Sequence, residues 1–233
     1  MTDMALSQAV DDLAKAFGSN PLAVIQRVEL ALPPLSGDAT AVETYLSQAG
    51  FSPDTLRAAL EIKRIAGQVN VLVHAAGILA SLPYILEPGE RIESLSLGAG
   101  NTGKDFDLTT DRRVGEFKFI AWRGGPESIR QNQVFKDYLK LLWDETARRK
   151  QLFLTGTKEA LAFLRGGRAL DSVLSKDVHV KAKFSESYGD RFTKVGDFYR
   201  FVESKVEVID LRQIVPVFAV ATVPAEGPSA EEL

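Results

Sequence analysis

The chain has no cysteine and only two histidines among 233 residues. Disulfides and thiolate zinc sites are therefore excluded, and a histidine-rich metal centre is not expected. Charge of one sign is also lacking: the formal net charge is −3, so no global field announces a polyanion. The start, Met1-Thr2-Asp3-Met4, has neither the basic flank nor the apolar core of a signal peptide. The longest candidate for a membrane span, residues 70–86, is short and is interrupted by Asn70, His74, Ser81 and Pro83. The last two of these absences predict a cytoplasmic location and no membrane partner. No internal repeat is present. What remains, at 45% hydrophobic content, is enough to bury the core of one domain, with or without a helical appendage.

Two segments carry chemistry. Residues 105–109 (Asp-Phe-Asp-Leu-Thr) and 115–120 (Gly-Glu-Phe-Lys-Phe-Ile) read as strands of one hairpin. Side chains alternate between faces, so Phe106 and Leu108 are expected on one side with Phe117 and Phe119, and Asp105, Asp107, Glu116 and Lys118 on the other. A turn about Asp111 and Arg112 sets position 107 opposite position 116, because both are equally far from it. Like charges so opposed cost about 0.2–1 kcal/mol. The pattern therefore predicts a divalent cation between Asp107 and Glu116, with Lys118 close by. Ligation by oxygen alone suits Mg²⁺ or Mn²⁺. An acidic pair on a hairpin is more often a solvated face. Here Phe117, Phe119, Ile120 and Trp122 make the second strand apolar on both sides, as in a buried central strand, where charges need partners.

An Asp on one strand followed by Glu-x-Lys on the next resembles the motif of the PD-(D/E)XK nuclease superfamily. The order of elements over about residues 55–165 is similar to that family's core of helix, three antiparallel strands, helix and strand. An apolar stretch at 53–82 reads as helix and 91–97 as a first strand, followed by the motif hairpin. After the Gly124-Gly125-Pro126 break, 127–143 is amphipathic with Pro126 where a helix could begin; 151–155 reads as strand and 158–164 as helix. The fold class implied is α/β: a restriction-endonuclease-like α-β-β-β-α-β core, its mixed central sheet flanked by helices, over 53–222. A helical N-terminal extension covers 1–52, and 223–233 forms a disordered tail.

The resemblance implies metal ligation by Asp107, Glu116 and the Phe117 backbone carbonyl, a catalytic role for Lys118, and Mg²⁺ or Mn²⁺ as cofactor. It implies a metal-dependent phosphodiesterase whose partner is nucleic acid, DNA in first place. Members often complete the site from the second helix, which points to Gln133, with Arg130 and Gln131 as alternatives. Many also carry a Glu on the first helix. Here Glu61 lies early in that helix, while Asn70 and His74 share a face nearer its apolar end; His74 and Glu93 are accessory candidates. The residue before Asp107 is Phe106 and not Pro. The alternative is a non-catalytic nucleic-acid-binding or protein-interaction module on the same fold.

Residues 98–105, Gly-Ala-Gly-Asn-Thr-Gly-Lys-Asp, fit a phosphate-binding loop as far as the lysine. That motif then needs Ser or Thr and a following helix, and this chain supplies Asp105 and a strand. A glycine-rich turn is the expected reading. Charge is uneven along the chain: residues 112–200 hold 19 Lys and Arg against 11 Asp and Glu, and the remainder 9 against 20. The basic part begins at the motif, as expected of a segment lying along a phosphate backbone. The first 52 residues are acidic and broken at 18–21, 32–34 and 50–53. They are expected to pack on the core, form a homodimer surface or bind a protein partner. Tyr188, Phe192, Phe198, Tyr199 and Phe201 are expected in the core rather than as a base-stacking platform.

Overall fold

The computed structural model describes residues 6–33, 38–98, 103–119 and 127–220. Ile120, Trp122, the Gly124-Gly125-Pro126 break, residues 99–102 of the glycine-rich segment and the tail from Pro224 lie outside the described residues. The chain divides into two compact units, Met1–Asn70 and Val71–Leu233. The first holds helices α1 (Leu6–Phe17), α2 (Pro21–Ala31), α3 (Ala39–Gln48) and the start of α4 (Pro53–Ile85). Capping explains its breaks: Asn20 accepts from the Ala23 N–H ahead of Pro21, and Asp38 accepts from the Ala41 N–H.

The second unit is α/β. Strands β1 (Ile92–Leu95), β2 (Leu108–Thr110), β3 (Arg113–Lys118), β4 (Arg149–Leu154) and β5 (Glu207–Asp210) form one sheet in that spatial order. The first three are antiparallel neighbours; β4 is parallel to β3, and β5 to β4. Helix α5 (Ser128–Leu142) makes the crossover from β3 to β4. Helices α6 (Lys158–Leu164), α7 (Leu170–Leu174), α8 (Val178–Tyr188) and α9 (Val195–Val202) lie between β4 and β5 in sequence; α10 (Pro216–Val220) follows β5.

Alternation on the central strands builds a core on each face of the sheet. Val114, Leu152 and Leu154 pack with Val134, Phe135, Tyr138 and Leu139 of α5 and with α6 to α9. Leu108, Phe117 and Phe153 point the other way, to Ile78 and Ile85 of α4. Phe184, Phe198 and Tyr199 are buried in the first of these cores, as the sequence predicts for packing aromatics, while Phe201 is half exposed. By length and composition α4 can cross a membrane. Within its last turns Ile78 and Ile85 are buried in the core on the α4 face of the sheet and Ser81 is buried beside them, while Leu79 and Tyr84 are exposed.

One expectation is corrected. Phe106 does not share a side with Phe117 and Phe119; it belongs to the core of the α5 face. The regular strand starts at Leu108, so the alternation that carries Leu108 to the α4 face does not extend back to residue 106.

At the far end of the hairpin, Glu90 binds Arg113 through both carboxylate oxygens at 2.6 Å and accepts from Thr110 Oγ1 at 2.5 Å. Burial works against this carboxylate, but the bonds from Arg113 and Thr110 outweigh it and hold its pKa at about 2. The network closes a two-residue turn in which Thr110 Oγ1 also accepts from the Arg112 and Arg113 N–H groups. It thereby pins the register of β2 on β3 without an Asn-Gly or Asp-Gly dipeptide.

Helix α4 approaches the sheet through Gly77, where an added Cβ would lie 2.5 Å from the Phe119 ring. That ring is already held by Phe117, Phe218 and His74. Gly77→Ala should therefore destabilise the protein by about 1–3 kcal/mol through overpacking, despite a helix-propensity gain of up to about 1 kcal/mol. Denaturant unfolding checks this, and an unchanged or raised stability would refute the contact.

Candidate active site

The pairs Leu108↔Gly115 and Thr109↔Val114 fix the hairpin register. Continued by one residue, it sets position 107 opposite position 116, as the sequence predicts. Asp107 itself lies just before β2, and its carbonyl still accepts from the Ser96 N–H at 2.8 Å. Its side chain then takes over the role of the missing strand residue. Oδ2 accepts from the Phe117 N–H at 2.9 Å, while Oδ1 stands 3.3 Å from His74 Nε2 on α4.

Glu116 and Lys118, two residues apart on β3, face α5. Glu116 is 4% exposed, and its Oε1 accepts from Lys140 Nζ at 2.6 Å. Lys118 Nζ lies 2.9 Å from Asp137 Oδ2. Asp137 and Lys140 are three apart on α5 and so project from the same face of that helix. The site thus gathers three carboxylates, two lysines and one histidine from α4, the β2–β3 hairpin and α5.

Its electrostatics follow from burial plus an excess of negative charge. Burial lifts Glu116 most, and the charges of Asp137 and Asp107 lift it further; Lys140 opposes them, and the group settles at about 7. Burial also works against the Asp107 carboxylate, but His74, the Phe117 N–H and Lys118 together bring it below its ordinary value. Lys118 would lose basicity by burial, yet Asp137, Glu116 and Asp107 hold its pKa above the ordinary lysine value. Burial raises Asp137, with Lys118 and Lys140 opposing.

Asp107, Glu116, Lys118 and His74 are therefore brought together. Glu93 is not: it pairs with Arg148 at 2.6 Å, on β1 near the hairpin turn. Arg130 pairs with Glu127 at 2.9 Å in the first turn of α5. Gln133 is exposed and lines a groove with Lys136, Val173, Lys176 and Asp177. Gln131 accepts from Arg168, and Glu61 accepts from Arg64 on its own helix. Sequence reasoning missed Asp137 and Lys140. The spacing 133, 137, 140 puts both on the helix face of Gln133, but nothing in that spacing separates a site residue from a solvent-facing one.

Among the described residues, no group of three or more His, Asp or Glu side chains is arranged to hold a metal ion. Mg²⁺, however, is commonly held by one or two carboxylates with the remaining positions filled by water. Asp107 and Glu116 offer two such groups. A carbonyl is available beside them: the Thr155 N–H occupies the Lys118 carbonyl at 3.2 Å, so strand alternation turns the N–H and C=O of Phe117 the other way, towards Asp107. The donor set is hard oxygen throughout and fits Mg²⁺ or Mn²⁺. Comparison with protein-family models, with curated proteins and with solved structures gives no match.

The raised pKa of Glu116 has a definite sign in stability. The folded protein retains a proton that the unfolded chain releases near 4.5, so this contribution is complete below that pH and is lost as pH rises through about 7. The loss amounts to at most about 3 kcal/mol. In EDTA, Glu116→Gln should lack this component, so its stability relative to wild type should improve steadily between pH 4.5 and 7. Parallel stability curves for the two proteins would contradict the assignment.

Proposed function

We propose that this protein is a Mg²⁺- or Mn²⁺-dependent nuclease on a restriction-endonuclease-like core, hydrolysing phosphodiester bonds in DNA. The observation that carries this reading is that half-buried Asp107 and buried Glu116 lie close enough for their charges to interact, with Lys118 beside them. Such a cluster is expensive to bury and contributes little to packing, which favours a functional role. The order α4, β1, β2, β3, α5, β4 gives further support, since it resembles the helix, three antiparallel strands, helix and strand of the PD-(D/E)XK core.

In this reading Asp107, Glu116 and the Phe117 carbonyl hold the cation. A bound divalent ion supplies a water of lowered pKa and positive charge beside the scissile phosphate. Asp107 is oriented by the Phe117 N–H and by His74, so its carboxylate is aimed before any ligand arrives. Lys118, kept protonated by its carboxylate neighbours, acts as a cation and hydrogen-bond donor rather than as a base. It would hold the attacking water or offset charge developing on a phosphate oxygen. Asp137 positions that ammonium group.

A second reading, a non-catalytic nucleic-acid-binding or protein-interaction scaffold, is favoured by one observation. Lys140 already neutralises Glu116, and Asp137 already neutralises Lys118. The basic run is likewise much engaged internally, as in the pairs Lys136–Asp177, Arg149–Glu87 and Lys181–Asp171.

The readings separate in a cleavage assay on plasmid, linear duplex, single-stranded DNA and RNA with Mg²⁺, Mn²⁺ or EDTA. The nuclease reading expects metal-dependent cutting of DNA, reduced at least about 100-fold in Lys118→Ala with folding intact. Undiminished cutting by that variant would remove Lys118 from the chemistry. DNA binding without metal and without cleavage would favour the scaffold.

A further inference from the structure

We propose that Lys140 is an exchangeable internal counter-ion: it occupies Glu116 in the metal-free protein and must leave that carboxylate before a divalent cation can bind there. The inference rests on the metal-dependent reading of the site and adds a competitor to it. Two lysines face the carboxylates, and they differ in freedom. Lys118 is a strand residue whose side chain is 25% exposed and held by Asp137, which is itself 16% exposed. Lys140 reaches in from α5 with its side chain 42% exposed, whereas the Glu116 side chain it binds is only 5% exposed. The acid is fixed and the base can withdraw to water along its flexible stem.

While it holds Glu116, Lys140 Nζ also lies 5.2 Å from the centre of the Phe106 ring, within cation–π range, so a small swing that breaks the bond to Glu116 can keep the ring contact. This gives the placement of Phe106 on the α5 face a consequence for the site. The exchange also suits the charges present: three carboxylates, Asp107, Glu116 and Asp137, face two lysines, with His74 3.3 Å from Asp107, so a cation at Glu116 offsets carboxylate charge. A divalent ion would replace one positive charge by two at the same carboxylate. An ammonium 2.6 Å from Oε1 repels a divalent ion at the same carboxylate and takes up one of its two oxygens, so the two compete.

The test uses the full chain and Mn²⁺ as the probe, with isothermal titration of wild type, Lys140→Met and Asp107→Asn. Lysine acetylation read by mass spectrometry supplies a second measurement on the unaltered protein. Lys140→Met is expected to bind Mn²⁺ about tenfold more tightly, the scale of one charge-assisted hydrogen bond no longer competing. In wild type, acetylation of Lys140 should accelerate several-fold on saturation with Mn²⁺. In Glu116→Gln it should be fast with and without the ion. Equal Mn²⁺ affinity in wild type and Lys140→Met, with binding lost in Asp107→Asn, would overturn the counter-ion proposal and leave the metal site standing. Unchanged Lys140 acetylation at saturating Mn²⁺ would overturn it as well, even if the Met variant did not fold. No Mn²⁺ binding by any of the proteins would remove both the metal site and the counter-ion.

Discussion

A carboxylate in the middle strand of a five-stranded sheet is the constraint around which this site is organised. Glu116 is almost wholly excluded from water, yet it shares its surroundings with the carboxylates of Asp107 and Asp137. Left alone, such a group would neutralise itself by taking up a proton or would weaken the fold. The protein meets the constraint with Lys140 from the crossover helix, and the remaining imbalance appears as a pKa pushed up to about 7. The neighbouring Lys118–Asp137 pair solves the same problem one step along the strand.

Those solutions depend on the sheet being held rigidly on both faces. The core on the α5 side brings Asp137 and Lys140 over β3, since Val134, Tyr138 and Leu139 anchor the helix in that core. On the α4 side, Gly77 and Ile78 seat the helix against Phe117 and Phe119, placing His74 one turn away beside Asp107. At the turn, the Glu90–Arg113–Thr110 network keeps β2 and β3 in register. A slip of one residue would carry Glu116 into the apolar α4 face. A polar network buried at one end of the hairpin thus preserves the placement of a charged group near the other.

Much of this arrangement was legible in the sequence because strand alternation is rigid. The pairing of positions 107 and 116 follows from a turn at Asp111 and Arg112, and the helix, meander, helix, strand order follows from apolar periodicity. Phe106 was misplaced because sequence alone did not show that the regular strand begins at Leu108. Asp137 and Lys140 were passed over because polar residues on an amphipathic helix look alike whether they meet water or a buried acid. Only the position of α5 over β3 distinguishes them. The Glu90 network was equally hidden, since its partners are twenty or more residues apart and none belongs to a recognisable turn signature. His74, one of two histidines in the chain, joins the site only because α4 packs where its Nε2 meets Asp107, a contact 33 residues apart in sequence.

Asp107 and Glu116 are proposed as the two-carboxylate seat of a divalent cation. Anomalous diffraction from crystals soaked in Mn²⁺ tests it most directly, because it locates the ion without relying on activity. The account predicts one strong Mn²⁺ peak between the two carboxylates and within reach of the Phe117 carbonyl, with Lys140 drawn away from Glu116. Saturating Mn²⁺ with no peak there, and Lys140 still bound to Glu116, would contradict it.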